Sequence, residues 1–339
     1  MELLVLGGTA FLGREVAAQA VALGWSVTCA ARGRSGSFPD GVRAVVLDRN
    51  AEDALSPLSD WTWDAVIDLA RQPGQVRRAV RDLSARHWVF VSTANVYADQ
   101  ARRGQDESAV LLEPLAGQAM SAPSDYGAAK VACEAHIRGS DSWTIARAGL
   151  IVGPGDVTGR LGYWPWRFAR DVTGPVLVPD DGEQPVQLID VRDLAGWLLD
   201  CAADRTGGIF NACGSPTRLG DVLAVSRAVA GHRGAVYAAD ASRLADHRVS
   251  PWMGERSLPL WLGGDRGLWG FQDHRNDRAL ASGLTLRPLA DTLRDTLAWE
   301  RTGRAEPREA GLADADHDRL VRALSGALGE GEGEIGAGP

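Results

Sequence analysis

The chain has 339 residues, of which 45% are hydrophobic and 24% are charged, proportions close to the average of globular proteins. This composition argues against disordered, collagen-like and membrane-spanning classes and indicates a soluble folded protein. The net charge of -8 disfavours a nucleic-acid binder, which normally carries a basic patch. The four cysteines show no CxxC spacing and the six histidines form no HxxxH pair, so we expect no metal site and no disulfide framework.

The amino terminus, MELLVLGG, has no basic leader before its short apolar run. We interpret it as a buried first strand and not as a signal peptide. No apolar segment reaches the length that a bilayer requires. We therefore expect a cytoplasmic protein without a membrane partner.

The first half of the chain alternates short apolar runs with helical patterns. Such strands, separated by helices, predict a doubly wound (Rossmann) α/β fold whose parallel sheet is covered on both faces. Strands are predicted at 3–7, 25–30, 44–48, 65–69, 88–92 and 143–147, and helices at 11–23, 74–85 and 125–138. After Pro154 the pattern is turn-rich and then mostly helical, with later helices centred on 219–230, 240–247, 276–282, 289–300 and 314–328.

A glycine-rich turn, GGTAFLG, runs from Gly7 to Gly13 between the first predicted strand and the first predicted helix. Gly7 permits a tight turn, Gly13 permits close packing of the helix, and the helix amino terminus offers amides to a pyrophosphate. The turn therefore predicts a dinucleotide site. The alternative is a turn that serves packing alone.

The end of the second strand indicates which dinucleotide is bound. An NAD-binding strand usually ends in a carboxylate, but here no carboxylate occurs before Asp40, and Arg32 follows the strand directly. Arginine at this place pairs with a 2'-phosphate, so we expect NADP(H) to be preferred over NAD(H). The alternative is that Arg32 and Arg34 are solvated loop charges. Asp48, which closes the third strand, either accepts a hydrogen bond from adenine or caps the strand end.

The sequence YGAAK places Tyr126 and Lys130 four residues apart, on one face of a predicted helix. A neighbouring ammonium favours the phenolate form of a tyrosine, which makes Tyr126 a usable proton shuttle. All but one of the 36 basic residues are arginine, and Lys130 is the one lysine. Because a lysine is retained only here, we expect its compact ammonium to be required.

Together these segments resemble an extended or atypical short-chain dehydrogenase/reductase of the NAD-dependent epimerase/dehydratase family. The form GGTxFLG, with Ala10 in place of the middle glycine, is similar to a bacterial subgroup of that family. The matching segments are GGTAFLG, VLD ending at Asp48, DLA at 68–70, FVSTANVY at 90–97, YGAAK, RAGLIVGP at 147–154, LIDVRDLA at 188–195 and FNACG at 210–214.

The resemblance implies a catalytic set of Thr93, Tyr126 and Lys130. In it Thr93 binds the substrate oxygen, Tyr126 transfers its proton, and Lys130 tunes the tyrosine and holds the nicotinamide ribose. Ser92 is the competing hydroxyl. The expected cofactor contacts are Gly7, Thr9, Phe11, Leu12, Gly13, Arg32, Ser35, Asp48, Leu69, Ala70 and Lys130.

Two departures from the family narrow the expected reaction. Sugar-nucleotide dehydratases carry an Asp-Glu pair after the catalytic threonine, whereas this chain has Ala94 and Asn95, so a dehydratase is disfavoured. Nucleotide-sugar enzymes tend to carry an arginine and an asparagine where this chain has Val186 and Leu150. A nucleotide-sugar substrate is therefore less favoured, because the usual charge-assisted diphosphate contact is missing. The alternative is that Arg160, Arg167 or Arg192 supplies this contact instead.

The second half of the chain is rich in tryptophan. Trp164 and Trp166 follow the glycine-rich segment GPGDVTGRLG, and we expect both rings to line the pocket of an apolar or aromatic substrate. The alternative is core packing, which is the commoner fate of a tryptophan.

We therefore expect an NADPH-dependent reductase of a carbonyl on a small molecule, or the reverse dehydrogenase. The alternatives are an epimerase or reductase of a nucleotide sugar, and a non-catalytic dinucleotide- or RNA-binding protein. The expected domains are an NADP-binding Rossmann domain at 1–160 with returns near 186–212, a substrate lobe at 161–305, and a helix with a disordered tail at 306–339. The resemblance also implies a homodimer formed through the helices near 74–85 and 125–138.

Overall fold

The computed structural model describes residues 1–329, which form two compact units. The first unit comprises Met1–Ile151, Gln187–Pro216 and Gly267–Arg287, and the second comprises Val152–Val186, Thr217–Arg266 and the chain from Pro288 onward. The predicted disordered tail, over the last ten or so residues, lies outside the described residues.

The first unit is built on a seven-stranded parallel sheet in the order β7-β6-β5-β4-β1-β2-β3. Its strands are β1 (Glu2–Leu6), β2 (Ser26–Ala31), β3 (Arg43–Val46), β4 (Ala65–Asp68), β5 (Trp88–Thr93), β6 (Trp143–Ala148) and β7 (Gly208–Ala212). The strand order reverses beside β1, and ligands of such sheets bind at the carboxyl ends of the strands next to that reversal. The predicted doubly wound fold is confirmed.

Helices cover both faces of this sheet, and each face has its own apolar core. On one face α1 (Phe11–Ala22) packs against α5 (Val191–Asp204), with Val16 and Leu198 in the core. On the other face α2 (Pro73–Asp82) packs against α3 (Tyr126–Ile137), with Val76 and Ile137 in the core. Burial on both faces explains why the strands are apolar runs without alternation. The helices of both units are α1 (Phe11–Ala22), α2 (Pro73–Asp82), α3 (Tyr126–Ile137), α4 (Tyr163–Arg170), α5 (Val191–Asp204), α6 (Leu219–Ala230), α7 (Ala241–Asp246), α8 (Asp277–Ala281), α9 (Leu289–Thr302) and α10 (Asp314–Gly329).

The second unit combines α4, α6, α7, α9 and α10 with short strands. A parallel pair joins Val176–Pro179 to Val236–Ala239. The sequence did not predict this pair, because the first strand lies in a turn-rich segment and its partner is distant in the chain. Across both units, the remaining short strands are Thr62–Trp63, Ser84–Ala85, Leu150–Val152, Pro185–Val186, Leu188–Asp190, Thr217–Arg218, Ser250–Trp252 and Ser257–Pro259.

The two units differ from the predicted domain boundaries at three places. Residues 152–160 and the described residues from 306 onward belong to the second unit, and residues 267–287 return to the first. The return is fixed by contacts that are remote in sequence. The side-chain Nε2 of Gln187 donates to the backbone carbonyl of His274 at 2.8 Å, and its Oε1 accepts from the backbone N–H of His274 at 3.0 Å.

Three general features concern the described residues as a whole. No helix within 1–329 has the length and apolarity to cross a membrane. The same residues hold no cluster of three His, Cys, Asp or Glu side chains arranged to bind a metal ion. All four cysteines are buried and free.

His87 predicts how the stability of the fold depends on pH. Its buried ring bonds to the hydroxyls of Ser142 and Thr144, both at 2.8 Å. Burial, followed by the charge of Arg205, lowers the His87 pKa from 6.5 to about 4. Below pH 6.5 the unfolded chain therefore binds a proton that the folded chain does not, so the free energy of unfolding falls as the pH drops from 6.5 to 4.

Urea unfolding across this pH range measures that fall. We expect His87→Gln to reduce this dependence in part, because one group that titrates differently in the two states is removed, whereas burial also lowers the His274 pKa to about 4. An unchanged slope in the variant would show that other groups cause the pH dependence.

Candidate functional site

The glycine-rich turn is a close contact between backbone segments. Gly7 has a φ of +113°, and its N–H donates to the carbonyl of Ala30 at 2.9 Å. A Cβ atom on Gly13 would lie 2.2 Å from the Gly7 carbonyl oxygen, so the first turn of α1 tolerates no side chain there. Ala10, the residue that precedes α1, provides no side-chain cap for the helix, and the first turn of α1 carries no acidic residue. The N–H groups at this helix end are thus available to an anion.

The other predicted contacts of this turn differ in exposure. Thr9 is buried, Phe11 is half-buried, and Leu12 belongs to the apolar core. The Leu12 side chain is therefore not available to a ligand, and only its amide lies in the first helical turn. Phe11 packs partly against the same core.

The loop after β2 lies against the glycine-rich turn. A Cβ atom on Gly36 would come within 2.4 Å of the Thr9 carbonyl oxygen, which marks a close backbone approach. Arg32 and Ser35 are exposed on this loop. Arg32 makes no hydrogen bond or ion pair within residues 1–329. Its guanidinium is free to meet an anionic group beside the turn.

A second arginine, not predicted for the site, ties this loop to α1. Arg14 donates from Nη1 to the carbonyl oxygen of Ser37 at 2.7 Å and to its hydroxyl at 2.9 Å. Arg34 is exposed on the same loop. Three arginines, Arg14, Arg32 and Arg34, therefore lie on α1 and the loop after β2, whereas an NAD-binding protein usually carries a carboxylate at the end of its second strand.

The end of β4 carries a buried ion pair that sequence reasoning missed. Arg49 binds both oxygens of Asp68, at 2.6 and 2.8 Å, and Asp68 Oδ1 accepts from the N–H of Ala70 at 2.8 Å. This pair fixes the turn through Leu69 and Ala70, both of which are among the predicted cofactor contacts. The neighbouring Asp48 is exposed, and its Oδ1 caps the chain locally by accepting from the Asn50 N–H at 3.0 Å.

Lys130 is buried at 2% exposure beneath the strand ends. Its Nζ donates to the carbonyls of Ala70 at 2.7 Å and Val91 at 2.6 Å, and lies 4.6 Å from the centre of the Phe90 ring. Tyr126 is half-buried at the first position of α3, one turn before the lysine. The ammonium has three protons, so one remains for a ribose hydroxyl or the Tyr126 oxygen.

Thr93 and Ser92 occupy different environments at the end of β5. Ser92 donates to the Glu134 carboxylate at 2.6 Å and is fully engaged in the interior. Thr93 Oγ1 accepts from the Asn95 N–H at 3.2 Å and donates to the Asn95 side-chain oxygen at 3.3 Å. The two hydroxyls are therefore not equivalent: Ser92 is bonded to an interior carboxylate, whereas Thr93 bonds to the neighbouring Asn95 and must turn its O–H away from that side chain to donate to a substrate oxygen.

The two tryptophans predicted to line a substrate pocket are engaged within the second unit. Trp164 is fully buried, and its Nε1 donates to the carbonyl of Pro259 at 2.9 Å, which favours the alternative of core packing over a pocket wall. Trp166 is half-buried, with the guanidinium of Arg308 at 3.7 Å and that of Arg167 at 4.8 Å from its ring. Arginine stacking therefore accounts for much of the Trp166 surface.

One family model matches part of the chain. Residues 74–213 match the model of the NAD dependent epimerase/dehydratase family, which confirms the predicted resemblance. The matched segment contains Thr93, Tyr126 and Lys130.

Two curated proteins are similar to the chain. The 2'-dehydrokanamycin reductase of Streptomyces kanamyceticus is 30% identical over 224 residues, covering 62% of this chain and 60% of that protein. The chloroplast stem-loop binding protein of 41 kDa b of Arabidopsis thaliana is 28% identical over 254 residues, covering 68% of this chain and 63% of that protein. The matches thus span about three fifths of the length of each relative.

Solved structures share the fold. The UDP-N-acetylglucosamine 4-epimerase of Bacillus cereus has a TM-score of 0.64 at 17% identity, covering 91% of this chain and 99% of that one. The UDP-glucose 4-epimerase of Thermus thermophilus, solved with NAD, has a TM-score of 0.60 at 18% identity, covering 90% of this chain and 100% of that one. At these identities the likeness concerns the fold.

The close contact at Gly13 predicts that Gly13→Ala disrupts dinucleotide binding, because the added methyl group must push the Gly7 carbonyl away. We expect the affinity for NADPH to fall at least about tenfold, measured by nicotinamide fluorescence. Gly196→Ala in α5 is the matched control, since its Cβ would meet only the end of the flexible Gln19 side chain at 3.3 Å. Equal affinity in the two variants would contradict the assignment of the turn.

Proposed function

We propose that the protein is an NADPH-dependent reductase of a carbonyl group on a small molecule, or the dehydrogenase in the reverse direction. The observation that carries the proposal is the buried Lys130 ammonium, one helical turn after Tyr126 and bonded to the carbonyl of Val91, two residues before Thr93. Burial of an ammonium costs free energy unless it is hydrogen-bonded, and here its hydrogen bond to Val91 ties the helix of Tyr126 to the strand of Thr93. The reductase from Streptomyces kanamyceticus supports this reaction class.

Each of the three side chains has one task in this proposal. Thr93 donates a hydrogen bond to the substrate oxygen and orients the carbonyl. Tyr126 gives its proton to that oxygen, and Lys130 favours the resulting phenolate and holds a ribose hydroxyl. A bound reduced nicotinamide supplies the hydride that reaches the carbonyl carbon.

The preference for NADP(H) rests on the loop after β2. Arg32 follows the strand directly, is exposed, and has no protein partner within residues 1–329. A 2'-phosphate would give the Arg32 guanidinium a charge-assisted partner, and Arg34 and Arg14 would contact the same phosphate.

The substrate proposal has two arms. The apolar or aromatic ketone expected from the sequence keeps only Trp166 as a candidate ring, since Trp164 lies in the core. The reductase relative suggests instead a ketone on a polar, amine-bearing ring system. A net charge of -8 favours the approach of such a cation.

A nucleotide-sugar epimerase is the second candidate, favoured by the family model and by the epimerase neighbours in structure. It would retain oxidised cofactor through purification, whereas a reductase exchanges it. The stem-loop binding relative raises an RNA-binding function, against which the negative net charge argues. We also propose that the protein forms a homodimer through α2 and α3.

Titration with NADPH and NADH is the first test. We expect NADPH to bind more tightly, and Arg32→Ala to weaken NADPH by about tenfold to hundredfold while NADH is unchanged, because one charged phosphate contact is lost. Arg294→Ala, in α9 of the second unit, is the control. Equal binding of the two dinucleotides would defeat the Arg32 assignment and favour the epimerase.

Turnover tests the role of Tyr126. In a screen of aromatic ketones and oxidised aminoglycosides, we expect Tyr126→Phe to lower kcat by at least about a hundredfold, with NADPH affinity retained, because only the proton donor is removed. Tyr237→Phe removes a phenol from the second unit and should leave kcat unchanged. Normal turnover by Tyr126→Phe would remove the proposed mechanism.

A further inference from the structure

A chain of buried polar side chains crosses the carboxyl side of the sheet in the first unit. Ser92 donates to Glu134 Oε1 at 2.6 Å, and Arg147 donates to both Glu134 oxygens at 3.0 and 2.9 Å. Arg147 also donates to the Tyr97 hydroxyl at 3.1 Å, which donates to the Asn211 side chain at 2.5 Å. Each of the five residues is at most 2% exposed.

The centre of this chain is the Glu134–Arg147 ion pair. Both side chains are 1% exposed, and Arg138 adds a third arginine contact to Glu134 at 3.1 Å. Burial lowers and the Glu134 contacts raise the pKa of Arg147, with a net rise, so the guanidinium stays charged. Replacement of such a pair by apolar residues often leaves stability unchanged or increases it, so stability alone does not account for its presence.

Glu134 lies on the same face of α3 as the two residues assigned to catalysis. Tyr126, Lys130 and Glu134 follow one another at intervals of four residues, which places them in a single row along the helix. Successive members of this row therefore reach successive points on the neighbouring strand.

That strand is β5, and α3 holds its last residues in order. Lys130 binds the carbonyl of Val91, Glu134 binds the hydroxyl of Ser92, and Thr93 follows immediately. The two contacts fix both the distance and the rotation of the strand end relative to the helix. Thr93 and Tyr126 are carried by these two elements.

We infer that Glu134, acting through Ser92, is a positioning residue that holds the Thr93 hydroxyl and the Tyr126 phenol in register. This inference rests on the proposed function, because it assigns Thr93 and Tyr126 to one reaction. Glu134 touches neither cofactor nor substrate and carries no proton in the reaction. Arg147 binds both oxygens of the Glu134 carboxylate and holds it oriented toward Ser92.

The first test is Ser92→Ala, which removes the link and leaves the ion pair intact. We expect kcat to fall about tenfold to hundredfold, since small displacements of reacting groups have effects of that size. KM and the dissociation constant of NADPH should stay within about twofold, because binding groups are untouched. Ser92→Thr, which restores a hydroxyl, should recover most of the lost kcat.

Glu134→Gln separates positioning from proton transfer. A positioning role predicts a lower kcat with an unchanged shape of the pH–rate profile, whereas a changed profile would show a proton carrier and overturn the inference. The double variant Glu134→Gln, Ser92→Ala should lower kcat little more than either change alone, because both changes break the same link. Ser92→Ala serves as the measurable variant if loss of the Arg147 partner prevents folding.

Thr144→Val is the matched control. It also removes a buried hydroxyl from the same sheet, one that bonds to His87 at 2.8 Å near the start of β6. It should lower stability without lowering kcat. A normal kcat in folded Ser92→Ala, or an equal loss of kcat in Thr144→Val, would refute the positioning role.

Amide hydrogen exchange distinguishes failure of this inference from failure of the proposed function. If the unmodified protein reduces no ketone in the screen, the proposed function fails, and exchange still tests the link between β5 and α3. We expect the amides of 92–97 and 126–130 to exchange faster in Ser92→Ala than in Thr144→Val. Equal exchange in the two variants would contradict the inference whatever the activity.

Discussion

The arrangement of the first unit depends on where the single lysine places its charge. A buried ammonium is stable only if its hydrogen bonds are satisfied, and Lys130 satisfies two of them with the carbonyls of Ala70 and Val91. These carbonyls lie at the ends of two adjacent strands, β4 and β5. The lysine therefore fixes α3 against the edge of the sheet at which ligands of such folds bind.

The same edge is fixed again from its other side. The Arg49–Asp68 pair holds the turn that contains Ala70, and the Gly13–Gly7 contact holds the start of α1 beside β1. Each of these contacts is buried, and each allows little substitution: a charge would lose its partner or a methyl group would meet a carbonyl. The strand ends thus form a rigid frame, whereas Arg32 and Ser35 stand exposed on a loop.

The sequence predicted the parts of this frame that depend on local spacing. Strand and helix periodicity identified the sheet, and the four-residue interval identified the Tyr126–Lys130 row. Extending that interval by one turn would have reached Glu134. The partners of Glu134 and Asp68 could not be predicted, because Arg147 and Arg49 are brought to them by tertiary packing and not by a regular sequence spacing. Trp164 was assigned to a pocket because its ring type fits both a ligand and a core, and only burial separates the two.

The residues after Thr93 bear on which reaction the frame supports. The Thr93 hydroxyl caps the short helical turn at residues 94–96 by accepting from the Asn95 N–H at 3.2 Å, and Asn95 supplies no acidic group. Elimination of water needs such a group close to the substrate, whereas hydride and proton transfer to a carbonyl need only a hydroxyl, a phenol and an ammonium. The local backbone of Thr93 is thus compatible with reduction and with epimerisation. What separates those two reactions is whether the cofactor leaves between turnovers.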